Sequence, residues 1–150
     1  MKLLAIETAF ESFSVALRLG GETLERSRVA PREHASLLLP WTEELLAESG
    51  MTLGALDAFA FSRGPGSFTS LRIGIGVAQG LAWGADLPVA PVSSLLATAQ
   101  AGLPQSGPEN AVIAMDARMD EVFACRATTG NGLAVLLGDC LLYTSDAADE

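Results

Sequence analysis

Three places in the 150-residue chain carry residue types able to do chemistry. Glu7-Thr8-Ala9 ends a short apolar run, Leu3–Thr8, that reads as a buried strand. An acid in such a turn can handle metal and phosphate, or it can fasten the hairpin that follows. The residues alone leave both roles open. Arg63-Gly64-Pro65-Gly66-Ser67-Phe68-Thr69 joins a strand to a helix. Free backbone N–H groups at a helix N-terminus could cradle a phosphate there. The Gly-Lys-Ser/Thr ending of a P-loop is absent, and so is the Gly-x-Ser-x-Gly of a nucleophile elbow. Gly74-x-Gly76 lies within the helix, where it makes a poor dinucleotide fingerprint. The plainer reading is a turn: Gly64 and Gly66 permit the geometry, Pro65 stiffens it, and Ser67 or Thr69 caps the helix. Asp116-Ala117-Arg118 follows an apolar strand. Its acid could bind a metal, but pairing with Arg118 is the simpler reading.

The chain is poor in the other parts a catalyst needs. His34 is its one histidine, so no imidazole cluster can form and no metal site is expected. Taken alone, His34 reads as a surface or helix-start residue. Cys125 sits in the strand-like Val122-Phe-Ala-Cys125 and reads as a small core residue rather than a nucleophile. No serine or cysteine has a recognisable base near it in sequence.

The elements that position these residues are legible from their periods. Residues 3–8, 14–19 and 22–29 read as strands, the second and third joined by Gly20-Gly21. Residues 35–49 read as a helix stopped by Gly50, with Leu38, Trp41 and Leu45 at helical spacing and Pro40 in its early turns. A strand at 57–62, a helix at 69–83, a strand at 87–92 and a helix at 93–101 complete a βββαβαβα order. That order predicts an α/β fold, a mixed sheet flanked by helices. A linker at 103–110 then leads to strands at 111–116 and 121–128. The predicted organisation is a first lobe at 1–102 and the start of a second at 111–139, incomplete here.

The helix at 69–83 is unusual. Gly74, Gly76 and Gly80 lie in its interior, where each costs about 1 kcal/mol relative to alanine. Two small-residue stripes result, Gly76-Gly80-Gly84 and Gly74-Ala78-Ala82, on nearly opposite faces at 100° per residue. A helix apolar all round is expected to be buried all round. One stripe can pack on the helix's own sheet. The other must meet a neighbouring helix, for which the 35–49 helix is the obvious companion. Together they could present an apolar two-helix face to another subunit. The plainer alternative is that the helix is simply central within its own domain.

Composition narrows the function. Hydrophobic residues make up 49% of the chain and charged residues 18%, which excludes a disordered chain. No uncharged apolar run reaches the ~18 residues of a membrane span, and no signal-peptide core is expected at the start. Nine basic residues face eighteen acidic ones, a net −9. Nucleic-acid affinity rests largely on Lys and Arg, so a direct tRNA- or DNA-binding module is disfavoured. Two cysteines form no disulfide framework and fit a reducing compartment. Residues 140–150, Cys-Leu-Leu-Tyr-Thr-Ser-Asp-Ala-Ala-Asp-Glu, back-translate to a string resembling a transposase sequencing adapter, so they are expected to be a non-native tail. Without its three acids, Asp146, Asp149 and Glu150, the net charge is −6.

Ile6-Glu7-Thr8-Ala9, Pro31-Arg32-Glu33-His34-Ala35, the Arg63–Thr69 block, Leu71-Arg-Ile-Gly74, Ala78-Gln-Gly-Leu81 and Met115-Asp-Ala-Arg-Met119 together resemble the TsaB (YeaZ) family over residues 1–127. The resemblance implies an actin-like ATPase (ASKHA) fold of two lobes in a cytoplasmic protein. It implies a non-catalytic role in making threonylcarbamoyladenosine on the tRNA adenosine beside the anticodon. The implied partner is the catalytic paralogue TsaD, with TsaE joining the complex, tRNA met only indirectly, and a homodimer when TsaD is absent. Contact residues are then expected on the two helices: His34, Leu38, Trp41, Leu45, Arg72, Ile73, Gly76, Val77 and Gly80. Glu7 and Thr8 are the possible nucleotide contacts, and no cofactor is expected. TsaD carries a His-x-x-x-His metal motif where this chain has Ser94 and Thr98, and hydroxyls cannot replace imidazole as iron or zinc ligands. The alternative is a stand-alone actin-like ATPase or peptidase.

Overall fold

The structure, a computed structural model, describes residues 1–29, 33–102 and 110–143, the last three of these by backbone alone. The chain divides into two compact units, Met1–Val92 and Ser93–Glu150.

In the first unit, β1 (Lys2–Glu7), β2 (Ser12–Leu19) and β3 (Glu22–Val29) form an antiparallel meander, and β4 (Ala58–Gly64) runs parallel to β1. With β5 (Val89–Ser93) the sheet order is β3-β2-β1-β4-β5. This is the mixed sheet expected of an actin-like lobe. Gly20, at φ +63°, makes the tight β2–β3 turn. Alternation places Leu4 and Ile6 of β1, Phe13, Val15 and Leu17 of β2, and Phe59 and Phe61 of β4 in one core. Register stacks them: Ile6 lies between Val15 and Phe61, and Leu4 between Leu17 and Phe59. Two helices cover this layer side by side. The first, α1 (His34–Ser49), lies over β2 and β3; the second, α2 (Phe68–Ala85), lies over β1 and β4. Gly50 ends α1 in the left-handed region at φ +66°, as its position in the sequence predicts. Past Gly84, α2 runs one residue further and stops at a left-handed Asp86. A short 3-10 turn, Leu53–Ala55, precedes β4 and was not visible as a period.

The second unit is a separate sheet of β6 (Asn110–Arg118), β7 (Glu121–Gly130), β8 (Leu133–Leu136) and β9 (Leu141–Tyr143), with α3 (Ser94–Gly102) packed on it. The lobe boundary expected at 102 is therefore corrected: α3 belongs to the second unit. Leu95 and Ala99 are fully buried against Ile113, Cys125, Ala127 and Ala134. Gln100 clamps the β7–β8 hairpin by donating Nε2–H to the Gly132 carbonyl (3.2 Å) and accepting the Ala134 N–H on Oε1 (2.6 Å). Most of the expected linker, residues 103–109, lies outside the described residues, and Asn110 already belongs to β6. Of the tail at 140–150, residues 144–150 lie outside them too, and Leu141–Tyr143 pair with Val122–Ala124.

Candidate functional site

Two regions of the first unit gather the residues singled out from sequence. At the carboxyl ends of β1 and β4 the turn Glu7–Ala9 meets the loop Gly64–Ser67 and the start of α2. Glu7 Oε1 accepts the Ala9 N–H at 2.6 Å, so the carboxylate fastens the hairpin, one of the two roles open to it. Thr8 is fully buried, its N–H donated to Ser62 Oγ at 3.2 Å. A Cβ on Gly74 would collide with the Thr8 side chain, and one on Gly66 would collide with Ala9. These two glycines let helix and loop press against the turn. Ser67, the residue before α2, makes no side-chain cap; it donates its N–H to the Ala9 carbonyl at 2.6 Å. One of the N–H groups a phosphate cradle would need is thus already spent. The closed packing also corrects Thr8 as a nucleotide contact, because its side chain is sealed behind Gly74.

The second region is the outward face of α2. Gly74, Ala78 and Ala82 are its buried residues, so this stripe is the one that meets the sheet. On the opposite side, a Cβ at Gly76, Gly80 or Gly84 would meet nothing within 4 Å. Arg72 and Trp83 share that exposed arc, and Trp83 is 90% exposed. Phe68, 67% exposed, lies under the Arg72 guanidinium at 3.6 Å. Ile73 and Val77 flank the arc, half-buried against the core. The expectation that α2 is buried all round is therefore met on one side only. Trp83 and Phe68 were missed as site residues. Trp83 stands seven residues from Gly76, two helical turns, and that spacing was available in the sequence.

Three expected contacts on α1 are corrected. His34, Leu38 and Leu45 are buried inside the unit, His34 at 3% exposure. His34 Nε2 lies 3.1 Å from the Phe10 carbonyl, and its ring packs on Phe13 at 4.5 Å. Trp41 is half-buried, stacked on Phe13 at 4.8 Å and 15°. The stripe these residues share faces β2, and on the outer side Leu39 is the exposed large apolar residue. The apolar face is thus carried by α2 rather than by a helix pair. At its far end an open hollow of about 790 Å³ is lined by Gln79, Ala82, Trp83, Asp86, Leu87, Pro88 and Val89.

In the second unit Ser94 is buried, and Thr98 donates its hydroxyl to the Ser94 carbonyl at 2.9 Å. Asp116 Oδ1 accepts the Arg118 backbone N–H at 2.7 Å, so the acid engages residue 118 through the main chain. Burial, with Cys140 nearby, raises the Cys125 thiol above its ordinary range. Among the described residues no three His, Cys, Asp or Glu side chains gather into a metal-binding group, and no helix is long and apolar enough to cross a membrane.

Comparison with known proteins places this geometry. The family model described as "TsaD: tRNA N6-adenosine threonylcarbamoyltransferase" matches residues 26–148. The chain belongs to the TsaD family. Within it the similarity runs to TsaB. The tRNA threonylcarbamoyladenosine biosynthesis protein TsaB of Haemophilus influenzae is 52% identical over 123 residues, 82% of this chain and 52% of that protein. TsaB of Escherichia coli is 47% identical over 123 residues, 82% of this chain and 53% of that protein. The structure of YeaZ from Pseudomonas aeruginosa superposes with a TM-score of 0.88 at 45% identity, over 94% of this chain and 66% of that one. The TsaB (YeaZ) resemblance carried by the sequence motifs is thereby established, and so is the α/β fold. The chain spans about half the length of these two curated relatives.

Proposed function

We propose that this chain is a non-catalytic partner of TsaD in threonylcarbamoylation of the tRNA adenosine next to the anticodon, and that it holds TsaD through the outward face of α2. One observation carries the reading. Gly74 has a reason to be glycine within this chain, whereas Gly76, Gly80 and Gly84 have none: their outward sides are open. Glycines in a helix interior cost about 1 kcal/mol each, and a second backbone approaching closely would offset that. Interaxial distance between packed helices is set by the side chains at the contact, so a partner helix can seat deeply over Gly76 and Gly80. Trp83 and Arg72 border this seat, and they are the residue types that most often anchor interfaces. In this reading TsaE and tRNA reach the chain through TsaD, a second copy takes the same face when TsaD is absent, and the complex works in the cytoplasm.

The test is capture of TsaD. The chain, bearing an affinity tag, is expected to retain untagged TsaD on a column and to turn over neither ATP nor peptide alone. Turnover by the isolated chain that disappears in Glu7→Ala, with no retention of TsaD, would instead establish a stand-alone ATPase or peptidase.

A further inference from the structure

We draw no further inference here: the strongest candidate, the apolar outer face of the second sheet carrying Val112, Val122, Leu133 and Val135, is exposed with nothing in the structure to show what covers it.

Discussion

Two glycines two residues apart on α2 have opposite consequences. At Gly74 an added methyl collides with Thr8, itself fully buried, and overpacking of this kind costs about 1–3 kcal/mol. At Gly76 the same methyl meets open space and gains helix propensity of about 1 kcal/mol. Urea unfolding should therefore place Gly74→Ala below the parent chain in stability and Gly76→Ala above it. Equal shifts would mean that the turn does not press on the helix. Phe13, fully buried between His34 and Trp41, should cost about 3–5 kcal/mol on truncation to alanine. Cys125 makes a prediction in pH. Its folded pKa is raised above the unfolded value, so its contribution to stability is fully present below the ordinary thiol range. That contribution is lost as pH rises through the folded value. Unfolding midpoints measured from neutral to alkaline pH should fall more steeply for the parent than for Cys125→Ala; parallel curves would show that burial does not hold the proton.

At the scale of elements, most of the fold was legible because its strands alternate and its helices repeat. Val15 could be assigned to a strand from its period and Ile6 from a short apolar run, and Gly20 and Gly50 marked a turn and a cap. Addresses were harder to read. A short apolar helix such as Ser94–Gly102 shows that it buries Leu95 and Ala99, but no local signal says against which sheet. The same ambiguity governed the site. The α1 stripe of Leu38 and Leu45 is visible on a helical wheel, yet a wheel does not distinguish the core from a partner. On α2, apolar all round, either glycine stripe could have faced the sheet; Thr8, 66 residues away in sequence, decides it. The placement of α3 has a direct consequence. Leu95→Ala removes a side chain fully buried in the second core and should cost about 2–5 kcal/mol there. Hydrogen exchange should then speed up in β6 and β7 while β1 and β2 keep their protection. Loss of protection in β1 and β2 instead would return α3 to the first unit.

For the whole molecule, the proposed TsaD seat sets stability and assembly against each other on one surface of the first unit. The core of the first unit is closed by Gly74, Ala78 and Ala82 on the inner side of α2, so the outer glycines contribute nothing to it and weaken the helix. Substituting them should stabilise the isolated chain and impair its complex, a trade expected of residues kept for a partner rather than for the fold. The net charge of −9 disfavours a direct hold on nucleic-acid phosphates, whose affinity rests on Lys and Arg. The most direct measurement is titration of TsaD by calorimetry with the parent chain and with Gly76→Arg, after circular dichroism has shown that the variant remains folded. A side chain of that bulk on the seat should reduce affinity at least a hundredfold, about 2.7 kcal/mol. Unchanged affinity in a folded Gly76→Arg chain would contradict the claim that α2 is where TsaD binds.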